Sequence, residues 1–379
     1  MTRRAATPIR ARALTGGLLA LALAAGPAQA GRDPVGRVVF ARGDALWLTD
    51  LTGKAPAAII AKLPGPATDV RLIRTDAAGA TLLVDIGGRW YWAAMPKAGA
   101  ATTLTALPCA PGAARLTRDG RCVLCSDDHG QAWLMRLADG RGGPRDVPAA
   151  TATFVERDGV RSLVWADRAG AAVQMSPVAR RAPTTMAPAA PLRGLLAAPD
   201  GSRAVGVYRA PAVGQPPVPG ERDQLFGFAL DGIGARRRLI RDGVVLDWSW
   251  DSRWLLIQDH ASACIARAVG GEYKCWKNFT AVSVAPDGAY ALLLGPRDGA
   301  APAPPTEDDD GAGGEGGEGG GGEATDDDDE ADGDGEADVA PARPKGPLSL
   351  YRATLAGPYS APPAVIEREI DGAAVLLPP

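Results

Sequence analysis

The sequence predicts an all-β protein, a seven-bladed β-propeller of four-stranded antiparallel blades. Three observations carry this. An Asp-Gly turn flanked by apolar strands recurs about every forty residues, the period of a propeller blade. No segment keeps a 3.6-residue apolar period, so no long amphipathic helix is expected. The 48 Gly and 33 Pro among 379 residues suit a turn-rich β chain.

The repeat units are read in chain order. The mature chain opens on a half unit, Arg37-Val-Val-Phe-Ala-Arg-Gly-Asp-Ala-Leu-Trp-Leu48. Unit starts follow near residues 69, 112, 151, 192, 244 and 280. The clearest copies are Leu195 to Val207, around Ala-Pro-Asp-Gly, and Val282 to Leu294, around the same four residues. Ala113 to Cys125 and Phe154 to Trp165 turn at Asp-Gly; Val70 to Val84 is a looser copy, and Leu246 to Ile257 replaces Gly with Ser. Asp-Gly favours a hairpin because Gly accepts positive φ and Asp bonds its own backbone. A third strand follows each pair, as in Arg89-Trp-Tyr-Trp92 and Leu225-Phe-Gly-Phe228, and a fourth follows several, as in Arg237-Arg-Leu-Ile240. The chain ends on Asp371-Gly-Ala-Ala-Val-Leu-Leu377, a strand without a unit of its own. It is expected to complete the opening half unit and close the ring, removing the sheet edges an open array would expose. Six blades is the alternative.

The turns Ala198-Pro-Asp-Gly201, Ala285-Pro-Asp-Gly288 and Ser249-Trp-Asp-Ser252, each followed by an apolar strand, resemble the repeats of TolB-like β-propellers. The resemblance covers most of the mature chain at the level of repeat shape and implies the fold. It implies no single function, because such repeats serve in assembly factors, peptidase domains and secreted proteins of many kinds. The accessory protein of the Tol–Pal system carries an α/β domain before its blades, and this sequence shows none.

Residues 1–30 read as a secretory signal peptide. Arg3, Arg4, Arg10 and Arg12 precede an apolar run from Leu14 to Gly26, and Ala28-Gln29-Ala30 fits signal peptidase, with cleavage after Ala30. The run is shorter than the roughly 20 residues a membrane span needs. The propeller is assigned to 31–379 and a periplasmic or secreted location is expected.

Charge is unevenly spread. The net value of −3 hides sixteen acidic residues and eleven Gly between Glu307 and Asp338. Setting that tract and the four leader arginines aside leaves a body of about +9. The insertion at 298–346 reads as disordered, being self-repelling and free of aromatic residues. Asp328, Glu330 and Asp332 have a fragment of calcium-loop spacing, but the twelfth position is Val339, so at most weak Ca2+ binding is expected. A second insertion, Pro-rich, spans 210–224. Both fall between the second and third strands of their blades, so both should leave one face.

Candidate chemistry is sparse. Asp127, Asp128 and His129 lie after the second strand of one blade, and Asp259 and His260 occupy the matching place in another. Together they are candidate metal or acid–base ligands. The alternative is that these are polar turn residues on distant blades, and neither a metal nor another cofactor is assigned. Export permits disulfides. Cys264 and Cys275 flank Val269-Gly-Gly271 and should face each other across a hairpin. Cys122 and Cys125 point to opposite faces of one strand and should not bridge each other, so Cys109 is expected to pair with Cys122 or Cys125. Gly-x-Ser-x-Gly, Gly-Lys-Ser and dinucleotide fingerprints are missing. The nine Trp are read as packing between blades rather than a sugar platform.

The expected function is an exported, non-enzymatic, monomeric scaffold. It would bind a protein or an envelope component on the face bearing 210–224 and 298–346, with no nucleic acid partner and no membrane span. The alternative is a lactonase- or lyase-like propeller enzyme with a metal in its channel, which would need a ring of acids or His on the innermost strands.

Overall fold

The computed structural model describes residues 36–377, except 97–99, 113, 168, 170–171, 179–183, 187–191, 210–222, 231–236, 243, 260–261, 269–272, 286–288, 297–347 and 356–361. Residues 1–30, where the sequence predicts a signal peptide, most of the 210–224 loop and the acidic insertion lie outside the described residues.

Seven antiparallel sheets of four strands form a closed propeller. Blade 1 contains β1 (Arg37–Arg42), β2 (Ala45–Asp50) and β3 (Ala58–Lys62). Blade 2 is β4 (Val70–Thr75), β5 (Thr81–Ile86), β6 (Arg89–Ala94) and β7 (Thr105–Ala106). Blade 3 is β8 (Ala114–Leu116), β9 (Cys122–Ser126), β10 (Gln131–Arg136) and β11 (Gly142–Pro148). Blade 4 is β12 (Thr153–Arg157), β13 (Val160–Ala166), β14 (Val173–Pro177) and β15 (Thr184–Met186). Blade 5 is β16 (Leu192–Ala197), β17 (Arg203–Arg209), β18 (Asp223–Ala229) and β19 (Arg237–Asp242). Blade 6 is β20 (Val244–Trp248), β21 (Trp254–Asp259), β22 (Ser262–Arg267) and β23 (Tyr273–Lys277). Blade 7 is β24 (Thr280–Val284), β25 (Tyr290–Pro296), β26 (Leu348–Thr354) and β27 (Ala364–Ile370).

The C-terminal β28 (Ala374–Leu377) is the innermost strand of blade 1, paired antiparallel with β1 from Arg37↔Leu377 to Phe40↔Ala374. The half unit at the front and the spare strand at the back therefore make one blade, and six blades is excluded. The cores show the same closure. Among the described residues there are seven apolar clusters, each made by facing sides of two neighbouring blades, including one that joins blade 7 to blade 1 through Leu292, Leu350, Ile366, Phe40 and Leu376. Burial of these faces is the main force holding the ring.

The Asp-Gly turns are of two kinds. Asp158-Gly159 is the two-residue hairpin the sequence suggests, with both residues at positive φ and Arg157 paired to Val160. The other described turns of this repeat are wider. At 117–122 the Thr117 hydroxyl accepts the Cys122 amide and donates to Asp119, while Asp119 accepts the Arg121 amide. Ser249, Asp251 and Arg253 repeat this arrangement at 249–254. The hydroxyl satisfies a turn amide but does not set the width: Ala198 holds the same place at 198–203, where its amide donates to Arg203 O and its carbonyl accepts the Gly201 amide. The 153–165 unit leaves two residues between its paired strand ends where the wide turns leave four.

Disulfides join Cys109 to Cys125 and Cys264 to Cys275. The second lies between directly paired residues of β22 and β23. Cys122 stays free and half-buried, and burial pushes its thiol up. Cys125 packs between blades 2 and 3 and Cys122 between blades 3 and 4, so the CxxC pair does point to opposite faces. Among the described residues, no helix is long and apolar enough to cross a membrane.

Candidate functional site

The sequence-predicted ligands do not meet. Asp127 is a turn residue: its carboxylate accepts the His129 and Gln131 amides and its carbonyl accepts that of Gly130. Asp128 and His129 are exposed in the same turn. Asp259 ends β21 three blades away, and His260 lies outside the described residues. Among the described residues, no group of three or more His, Cys, Asp or Glu converges.

The tryptophans are largely structural. Trp90 is buried and its Nε1 donates to Gly112 O on the next blade. Trp248 is buried as well, and its Nε1 donates to Leu196 O across another seam. Trp92 packs against the same core as Trp90.

What converges is a set of arginines in the central channel. A cavity of about 70 Å³ is lined by the innermost strands of blades 2 to 6 and by the turns that follow them. Arg74 comes from β4, Arg115 from β8, Asp247 from β20; Arg118, Glu156 and Arg161 add charge nearer the rim. Because its wall includes Thr117, Pro199 and Trp250 from first-to-second-strand turns, the cavity lies toward that end of the channel. The two long insertions leave from the opposite end, since each joins a second to a third strand.

Arg74 spans the channel. Its Nη1 donates to Ala114 O at 3.4 Å on blade 3 and its Nη2 to Leu246 O at 3.2 Å on blade 6. The Leu246 carbonyl can accept because β20 bulges there: Val245 pairs with Ile257 and Asp247 with Leu256, leaving Leu246 out of the register. The first strand of blade 7 shifts register at the matching place, residue 282, and those of blades 2 and 5 shift two residues earlier in the unit, at 71 and 193. The bulge is thus a feature of the repeat, and in blade 6 it gives an arginine its acceptor.

The electrostatics are lopsided. Arg74 Nε lies 4.0 Å from Asp247 Oδ2. Arg161 is held by Asp119 at 2.7 Å. Arg115 pairs with no carboxylate of the described residues, and its Nε is sealed from water and without a hydrogen bond, as is that of Arg74. Burial pulls the Arg115 guanidinium down to about 10; the neighbouring Arg74 charge acts in the same direction and Asp247 opposes them. Sequence reading passed over these residues because most innermost strands, such as Leu195-Leu-Ala-Ala198, are apolar. The available signal was an arginine inside an innermost strand, in Arg71-Leu-Ile-Arg74 and Ala113-Ala-Arg115.

No described protein family matches this chain, and no curated protein does. Among solved structures it is similar to the dihydro-heme d1 dehydrogenase NirN in complex with DHE, at 14% identity and a TM-score of 0.41, over 64% of this chain and 56% of that one. The chain thus spans a little over half the length of that protein, and a likeness this distant carries no argument about activity or ligand.

Proposed function

We propose that the chain is an exported, non-enzymatic, TolB-like propeller that binds a protein or another component of the cell envelope through its insertion-bearing face. The observation that carries this is the wiring of blades 5 and 7. The 210–224 insertion joins β17 to β18 and the 298–346 insertion joins β25 to β26, so both depart from the same end of their blades. Elsewhere this connection is short, as at Gly43-Asp44 and Gly87-Gly88. Length concentrated on one face of a rigid ring is the usual signature of a recognition surface. Two disulfides fit an oxidising compartment and the leader read in the sequence. The channel wall, with four arginines to two acids, repels a metal cation, which favours binding over the metalloenzyme alternative.

The test is capture from an envelope extract by the full mature chain and by chains lacking 298–346 or 210–224. The expected result is a partner held by the full chain and lost from at least one deletion, with the purified partner capturing the full chain in return. Equal capture by all three chains would sink the proposal.

A further inference from the structure

The channel holds more positive charge than it satisfies. A guanidinium carries five N–H donors and stays charged in proteins, so burying one without an acceptor is strongly unfavourable. Arg74 spends two donors on carbonyls and leans toward Asp247. Arg115 faces the same cavity from the neighbouring strand, and no carboxylate of the described residues answers it. Among the described residues Asp247 is the one acid that acts on both, and its side chain is 44% exposed, so water weakens its hold. Two half-buried like charges side by side, each with a sealed and unbonded Nε, are tolerated in a folded channel when an anion joins them.

We propose that this cavity is an oxyanion site, in which a phosphate or carboxylate head group sits between Arg74 and Arg115. The size fits: about 70 Å³ is several times the roughly 10–15 Å³ that admits one water, and far below what a drug-sized ligand needs. The donor chemistry fits, because arginine forks bind the planar edges of carboxylates and phosphates through paired hydrogen bonds. Arg118 on the exposed rim adds attraction on the path inward, and Glu156 is the one opposing charge besides Asp247. Whatever carries the head group extends past Trp250 and Arg118 toward the first-to-second-strand end. This site is independent of the insertion-bearing face.

Calorimetric titration of the full mature chain tests it. Sodium phosphate, sulfate and acetate are compared at matched ionic strength, with chloride as the baseline. The expected result is saturable 1:1 binding of at least one oxyanion. Arg115→Met and Arg74→Gln should each weaken it about tenfold or more, the size of a lost charge-assisted pair, whereas Arg118→Ala should change it about twofold or less. Phosphate against acetate separates tetrahedral from planar recognition, and glycerol 2-phosphate against inorganic phosphate separates a carried head group from a free ion. In chloride alone Arg115→Met should melt at or above the parent chain, because it removes an unpaired, half-buried charge; adding the anion should raise the melting point of the parent only. No saturable binding above the chloride baseline overturns the proposal, as does binding that Arg115→Met leaves unchanged. If Arg115→Met does not fold, the parent titration and Arg74→Gln decide it.

Discussion

Arg42 and Arg115 are the same residue type in two parts of one ring, and they are treated in opposite ways. Arg42 sits at the closure between blade 7 and blade 1. Its Nε donates to Glu369 O at 2.9 Å, and its Nη2 donates to Glu367 Oε1 and Arg368 O, both at 2.6 Å. Its guanidinium lies over the rings of Phe40 and Trp47 at 5.1 and 5.6 Å. Close by, Asp371 Oδ2 accepts the Gly43 amide. Arg115, in the channel, has a neighbouring positive charge and an unbonded Nε. Where blade 7 meets blade 1, the arginine makes three hydrogen bonds to its own protein and is neutralised by Glu367. Where the blades converge on an axis, the arginine is left with capacity to spare. Neutralisation by its own protein marks a structural arginine, and an unpaired charge in a half-buried place marks one held for something else.

The sharpest way to break the comparison is to remove the lock. Deleting 372–379 takes away β28, all four of whose residues are buried, and exposes the inner edge of β1. At about 1.5–3 kcal/mol for each of Val375, Leu376 and Leu377, the loss is about 6 kcal/mol, comparable to the whole stability of many domains. Circular dichroism and gel filtration should show loss of cooperative melting, with aggregation through the open edge. A truncated chain that melted as a sharp monomeric transition would mean the apolar seam between blades 7 and 1 closes the ring unaided.

A smaller and more specific contrast is one of sign. Arg42→Ala removes charge-assisted hydrogen bonds from a half-buried site, and should lower unfolding free energy by about 2 kcal/mol in urea titration. Arg115→Met in chloride should show no loss or a gain. If the two substitutions cost the same, the channel arginine is structural after all.

The ring was readable in the sequence and the site was not, for physical reasons. Asp-Gly and Ser-Trp-Asp-Ser turns are local devices, and their spacing counts blades. The unpaired half unit from Arg37 and the lone strand at Ala374 imply each other, because a sheet edge needs a partner. The cross-strand pairing of Cys264 and Cys275 follows from two strands and a turn. Cys109 had two geometrically allowed partners, and Cys125 was chosen because it faces the seam toward blade 2, where Cys109 lies. The arginine site depends on residues 74, 115 and 247, brought together only by the ring, and on a one-residue bulge at Leu246. Neither leaves a mark in local periodicity. That His129 and Asp259 belong to distant blades was legible as well, because equivalent places in a ring are set apart by its symmetry.

The smallest expected effect bears on the rim. Burial pushes the Asp119 carboxyl up, but the Thr117 hydroxyl, the Arg121 amide and Arg161 more than offset this and hold it below its ordinary value of 3.8. A depressed carboxylate stabilises the fold above its unfolded-state pKa and loses that contribution as pH falls through the folded value. Asp119→Asn should therefore cost about 1 kcal/mol at pH 7, and the gap to the parent should close as pH falls below 3.8, which urea midpoints from pH 7 to pH 3 would record. The same substitution releases Arg161, whose Nη2 is bound to Asp119 at 2.7 Å while the residue lines the cavity. At pH 7 the freed charge should tighten phosphate binding a few-fold even as the fold weakens. Stability and affinity moving in opposite directions would separate the two uses of arginine within one residue. Weaker phosphate binding in Asp119→Asn would instead show that Asp119 positions Arg161 for the anion.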